Sequence, residues 1–527
     1  MKLKNFVKFG LAVGAAAAAA PYIQKKLKEP AGKRFLYDIA NGAANGLCSV
    51  IGAVLPDGET GDVLDFSPDL LLPGTGPFLK KAAANARWHL GFAKESLLPD
   101  DISADKYYIG GYLAFPPNVA EGVLDDQMIR CIALSDGSGR GVAVFAVIDC
   151  VGISNHDINE IRTRLLDDCR EKNIVSINIS ATHSHSCIDT MGVWGELTTA
   201  LKVNPGKVKR EETDFVSGRN ELFMENLKQA ACRVIRTAVE NMKPGQLQHG
   251  IQDGSRFVRD KRPPEVMMTE INTLLFTPDD GSAPTRAIIM AAHPTQFGGS
   301  NKIISADYPY YICEEWEKRG ENALFFQGAQ LAIATERAGN VPDGLSRAES
   351  IQEYGRAIGR FCLEAEMQPV EPLLNITGKR ILVTISNKIF DLLAKIQVID
   401  NDVLTGGEGG KLLIVSELGY AELGDIKIAL LPGEVAPELI RGGCLTAEES
   451  YDGSNWCYAP LEETAGSRLV VIGLCNDEIG YIIPDNDFGS IVAPLHYEES
   501  VSTGKHTASK IVKEFTSLLK SIQYQAD

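Results

Sequence analysis

Ile174-Val175-Ser176-Ile177-Asn178-Ile179-Ser180-Ala181-Thr182-His183-Ser184-His185-Ser186 is an apolar, β-branched run that stops at two histidines. A bounded run of this length and composition reads as a buried strand. In extended chain, side chains two residues apart share a face, so His183 and His185 present two imidazoles on one side of the strand end. The chain carries only eight histidines in 527 residues. A pair at one strand end supplies half of a zinc-type ligand set. Taken alone, such a pair more often belongs to a packed or solvated loop. Three other strand ends change that balance.

Working outward, Gly141 to Ile148 (GVAVFAVI) is a second buried strand, ending at Asp149. Ile158, Ile161, Leu165 and Leu166 then fall on one face of a connecting helix. The spacing of Leu222, Phe223, Leu227, Ala230, Val234 and Ala238 predicts an amphipathic helix over 218–242. Residues 268–277 and 286–292 read as paired strands joined by the turn Pro278-Asp279-Asp280-Gly281. A helix near 308–319 leads into the apolar run Ala323 to Phe326. Strands recur at 379–386, 411–417, 425–431 and 468–474. A final helix near 501–522 buries Ile511, Phe515, Leu518 and Leu519. Strands and helices interleave, which predicts an α/β (α+β) fold, a mixed β-sheet core flanked by helices. In such sheets, sites gather outside the carboxyl ends of the strands.

The hydrophobic share of 44% and charged share of 23% are ordinary for a globular chain. The length suits one large domain or two. A net charge of −17 argues against a nucleic-acid surface. The eleven cysteines form no CxxC pair, and most, such as Cys131, Cys150, Cys313, Cys362 and Cys475, lie inside apolar runs. They read as reduced, buried thiols, which favours a cytoplasmic body.

Three segments are expected. Residues 1–28 form a hydrophobic signal or anchor segment, 29–105 an irregular, proline- and glycine-punctuated wrapping stretch, and 106–527 the main domain. In the first, Lys2, Lys4 and Lys8 precede the apolar run Phe9 to Ile23, and Lys25, Lys26 and Lys28 follow it. That run is shorter than the roughly 20 residues that span a bilayer. It fits a signal peptide or membrane anchor, a helix lying on an anionic membrane surface, or an alanine-rich helix packed on the domain. Association with a membrane, or export, through 1–28 is the expectation.

Four apolar runs end in residue types that bind divalent metal. Ile174 to Ala181 leads to His183 and His185. Ala287 to Ala292 leads to His293-Pro294-Thr295. Ile426 to Leu431 leads to Pro432-Gly433-Glu434. Leu469 to Leu474 leads past Asn476 to Tyr481. Each has a plainer reading. His293 can serve a loop backbone group, Glu434 can complement the dipole of a helix near 436–441, and Tyr481 can be a core aromatic. The shared strand-end placement makes them a set. Two histidines, a glutamate and one more oxygen donor make a zinc shell with an open position.

These motifs resemble the neutral, non-lysosomal ceramidase family. The resemblance runs from about Tyr107 to the C-terminus. It rests on Ala181 to Ser186, on His293-Pro294-Thr295, on Pro432-Gly433-Glu434 and on Gly473-Leu474-Cys475-Asn476 followed by Gly480-Tyr481. It implies one Zn2+ per chain held by His183, His293, Glu434 and Tyr481, with His185 as proton carrier or oxyanion partner and Tyr481 aiding the oxyanion. It also implies a substrate-contacting arginine at Arg256 or Arg259.

Where the family carries a catalytic serine, this chain has Ala334, with Thr335 beside it as the remaining hydroxyl. Ala332 replaces the family's preceding aspartate. The resemblance covers the catalytic domain and not the family's C-terminal immunoglobulin-like domain. The implied activity is zinc-dependent hydrolysis of an amide or ester in a small-molecule or lipid substrate, with metal-bound water as nucleophile. Two alternatives stand beside it. One is a non-catalytic, degenerate binding protein on the same fold, and the other is a membrane-associated scaffold. Residues 194–215, with Trp194, Lys202, Lys207, Lys209 and Arg210, read as a solvated loop or a basic lid beyond the histidine pair.

Overall fold

Alternation along the central strands reveals the layering. In Met128–Ser135, the side chains of Ile129, Cys131 and Ala133 pack with helix residues Phe223, Leu227 and Ala230. Ile132 and Leu134, on the opposite face, pack instead with Leu374, Ile376, Leu423 and Ile428 of a second sheet. Val142–Ile148 repeats the pattern, with Val144, Ala146 and Ile148 outward and Ala143, Phe145 and Val147 inward. Period-two side-chain placement thus feeds two cores from each strand. The result is two face-to-face sheets with helices on both outer surfaces.

The computed structural model describes residues 60–196, 216–395, 398–490 and 496–525, with Ala493 and scattered positions in 41–48. The segment 1–28 and nearly all of the proposed lid at 194–215 lie outside the described residues. No helix among the described residues is long and apolar enough to cross a membrane.

The larger sheet has nine strands. Eight lie in the order Asn322–Gln327, Thr285–Met290, Glu270–Pro278, Lys243–Asp253, Trp88–Ser96, Met128–Ser135, Val142–Ile148 and Ile174–Ala181. Its first and last pairs are parallel and the rest antiparallel. The smaller sheet is built on Leu413–Leu423, flanked by Leu374–Thr384, Val403–Thr405 and Ile426–Leu430, with Val470–Ile472 parallel to the last. The larger sheet coils enough that its two end strands, Asn322–Gln327 and Ile174–Ala181, come into contact. Gln327, fully buried, donates from Nε2 to the carbonyls of Thr182 (3.2 Å) and Ala292 (2.8 Å) and ties those ends together.

The expected elements appear with small shifts at their ends. Glu221–Glu240 is the long helix, capped by the Asn220 side chain. Leu222, placed on its apolar face by spacing, is 66% exposed because the buried stripe begins at Phe223.

The stretch 29–105, expected to be irregular, contains the nine-residue strand Trp88–Ser96 in the interior of the larger sheet. Gly91 explains its place. A Cβ there would stand 1.9 Å from the carbonyl oxygen of Ala238, so the long helix rests directly on this strand's backbone. Gly91→Ala is therefore expected to lower stability by about 1–3 kcal/mol, measured as a shift in the urea midpoint. An unchanged midpoint would show that the helix does not sit there.

Candidate metal centre

Both sheets contribute strand ends to one buried point. His183 follows Ile174–Ala181 and His293 follows Thr285–Met290 of the larger sheet, while Glu434 follows Ile426–Leu430 of the smaller. Glu434–Val435 pairs in parallel with Tyr481–Ile482, with Glu434 opposite Tyr481. The backbone turns sharply to reach the site. Gly433 has φ 67°, and a Cβ there would stand 2.5 Å from the Gly480 carbonyl oxygen. His183 itself has φ 67°, and the nearby Ala332, Leu474 and Asn476 also lie in the left-handed region. Non-glycine residues held there cost of order 1–3 kcal/mol each and gather at functional sites.

The ligand atoms of His183, His293 and Glu434 all lie within 4.8 Å of one another, and all three residues are buried. The Nδ1 atom of His183 is 2.6 Å from the Val151 carbonyl oxygen, and Nδ1 of His293 is 3.0 Å from that of Ile333. A carbonyl only accepts, so both Nδ1 atoms donate outward and both Nε2 atoms are left to face the site. Those Nε2 atoms stand 3.1 Å and 2.7 Å from the same Glu434 oxygen, Oε2. Two imidazole nitrogens and a carboxylate oxygen this close in a buried space are held together by a proton or a metal cation among them. This donor set suits a divalent metal such as zinc. The carbonyls behind the rings are the outer contacts that usually orient metal-binding imidazoles.

Burial would raise the Glu434 carboxyl, but His183 and His293 outweigh it and hold the group well below the carboxylate range. Burial lowers His293, against the pull of Glu434. Tyr481 lies 3.5 Å through Oη from His293 Nε2, its ring stacked on the imidazole at 6.2 Å. Burial, then the Glu434 charge, pushes its phenol well above the ordinary range. His185 Nε2 stands 3.0 Å from His183 Nε2, and the His185 ring packs edge-on against Tyr112.

The structure therefore brings His183, His185, His293, Glu434 and Tyr481 together. Thr335 lies apart from the triad. It closes the short strand Ile333–Thr335, whose Ile333 carbonyl accepts from both the His293 backbone and its ring, and it lines an adjoining cavity with Arg259. Arg256 does not line that cavity. Its guanidinium lies over the rings of Phe257 (4.5 Å) and Phe361 (4.8 Å). Ala334 bridges to His293 through the backbone and offers no hydroxyl.

The overall architecture can be matched to solved structures. The fold is similar to that of a neutral ceramidase. The neutral ceramidase of Pseudomonas aeruginosa superposes with a TM-score of 0.60 at 15% identity, covering 84% of this chain and 76% of that one. A structure described as ceramidase complexed with C2 gives 0.61 at 15% identity, covering 84% and 77%. No protein-family model matches the chain, and no curated protein matches it by sequence.

Several supporting residues escaped sequence reading. Gln327, and the carbonyls of Val151 and Ile333, carry no motif. Glu478 left only a faint signal as a carboxylate near Tyr481. It is buried, accepts from the Gly480 backbone at 2.6 Å, and is held well above the carboxylate range by burial and then by Glu434.

Proposed function

We propose that this chain is a metal-dependent hydrolase of a linear amide bond, of the ceramidase type, with Zn2+ as the resident ion. The observation that carries this reading is the convergence of three ligand atoms from His183, His293 and Glu434 in a buried space. The fold likeness supports it. Tyr481 is the fourth group within reach.

The ion, when bound, would acidify a water and polarise the scissile carbonyl. The protein's own residues do the rest. The Val151 and Ile333 carbonyls fix the tautomers of the two histidines. His185 is placed beside His183 to carry a proton to or from the reacting group. The Tyr481 phenol keeps its proton and is placed to donate to a developing oxyanion. Ala334 supplies no nucleophile, which leaves water as the attacking group, and Thr335 lies where it would position substrate.

A panel of N-acyl amides tests this reading. Wild type is expected to hydrolyse at least one of them, and His183→Ala none. Equal rates in the two proteins would sink the hydrolase reading. Tight binding without turnover would favour the non-catalytic alternative, which the alanines at 332 and 334 motivate. Membrane attachment or export through residues 1–28 belongs to the same proposal, motivated by lysines on both sides of an apolar run. Fractionation of the full chain against one lacking 1–28 checks it. Equal partition of the two would remove the anchor.

A further inference from the structure

The cavity of about 400 Å³ beside the metal centre is built from the same segments that hold His293. Thr295 and Gln296 follow that histidine directly, and Ala334 and Thr335 continue from the Ile333 carbonyl that orients it. The volume is that of a small-molecule site. Its chemistry is unlike a lipid groove, because no large apolar side chain lines it. Arg259, Lys261, Arg337 and Arg347 contribute four cationic side chains, against the single carboxylate of Glu336. This is a basic wall on a chain whose net charge is −17.

A cluster of surface cations is usually a solvated face, and Gln296 argues against that here. Its side chain is 7% exposed, yet neither Nε2 nor Oε1 has a hydrogen-bond partner among the described residues. A buried amide left unsatisfied costs about 1–3 kcal/mol. A turn of this side chain toward the cavity it lines would let a ligand's polar atoms satisfy it. The cations are also partly pre-positioned. Arg347 donates through Nη1 to the Phe297 carbonyl at 2.6 Å, and Arg337 through Nη1 to Ser350 Oγ at 3.3 Å. Each guanidinium has five N–H donors, so most remain for a ligand. Arg259 is held loosely, its Nε 3.6 Å from Glu336 at an exposed position.

We propose that this cavity is an anion-reading subsite that takes the carboxylate head of an N-acyl amino acid. The assignment rests on the hydrolase reading only for the acyl side of the ligand. Guanidinium groups pair with carboxylates through parallel N–H···O bonds, and Gln296 offers an amide to the polar atoms beside the head.

Isothermal titration of the full chain tests the subsite without turnover. The probes are N-hexylsulfonylglutamate, whose sulfonamide resists hydrolysis, its neutral diamide, and inorganic phosphate. The acid is expected to bind at least about tenfold more tightly than the diamide, and to weaken as salt screens the exposed cations. Arg259→Glu with Lys261→Glu, both at exposed positions, is expected to erase the preference while keeping the wild-type unfolding midpoint.

Equal affinity for acid and diamide would overturn the assignment, as would wild-type affinity for the acid in the double variant. Phosphate binding tenfold more tightly than the acid would overturn the carboxylate. Acid binding by a protein that turns over no N-acyl amide leaves the subsite standing and removes the hydrolase reading. Turnover of acidic and neutral N-acyl amides at equal kcat/KM does the reverse.

Discussion

Wild-type chain dialysed extensively against metal-free buffer is expected to retain about one divalent ion, the stoichiometry of a single closed ligand set, and His293→Ala to retain none. The expectation follows from where the two rings point. His183 and His293 spend their N–H groups on the Val151 and Ile333 carbonyls, and their Nε2 atoms meet at one Glu434 oxygen. Removing His293 leaves one imidazole and one carboxylate, too few to hold an ion against dialysis. It also removes the ring on which Tyr481 stacks. Loss of the ion's charge stabilisation, several kcal/mol, should lower amide hydrolysis roughly a thousandfold. A readout besides activity comes from stability. An ion that binds only the folded chain adds about 2.7 kcal/mol at a hundredfold excess over Kd. Added zinc should therefore raise the Tm of wild type and leave His293→Ala unmoved. Stoichiometric metal in both proteins would place the ion elsewhere and remove the triad as its site.

The four strand ends were legible because each pairs a continuous apolar run with a polar residue directly after it. Ile174–Ala181 has the bounds its sequence predicts. The four runs do not reveal that they belong to two sheets. His183 and His293 come from strands near opposite ends of the larger sheet, and only its coil brings them together. Coiling is a sum over many strands and leaves no mark at any one residue.

Trp88–Ser96 was missed although Trp88, Leu90 and Phe92 alternate there, because the proline- and glycine-rich stretch before it read as irregular throughout. Arg347–Cys362 was missed although its start is marked. Ser346 and Glu349 form a capping box there, a signal that can be read from sequence. The choice between Arg256 and Arg259 could not be read from spacing, since they stand three positions apart across a helical turn and a strand start. Packing separates them, one onto aromatic rings and the other into the cavity wall.

Glu417→Ala is expected to destabilise the protein by about 3–5 kcal/mol, the usual cost of leaving one member of a buried ion pair alone. Glu417 lies in the central strand of the smaller sheet, and Arg162 in the helix Asn155–Arg164 outside the larger one. Their side chains are both 5% exposed and meet through two bonds, 2.7 Å and 2.9 Å. Arg162 also donates to the Ile177 carbonyl at 2.7 Å, within the strand that carries His183.

Asn476 completes the knot. Its amide donates to Glu417 at 3.0 Å and to Asn178 at 3.1 Å, while its Oδ1 accepts from the Ile179 backbone at 3.0 Å. It precedes the segment that carries Tyr481. One carboxylate thus holds both sheets, the His183 strand and the approach to Tyr481 in register. Losing it should weaken metal retention as well as stability, with no ligand touched. The double variant Arg162→Met with Glu417→Leu removes both charges together and should recover most of the lost stability. Chemical denaturation of the two variants separates the explanations. Equal losses in single and double variants would mean that the lost hydrogen bonds to Ile177 and Asn476, and not an orphaned buried charge, set the cost.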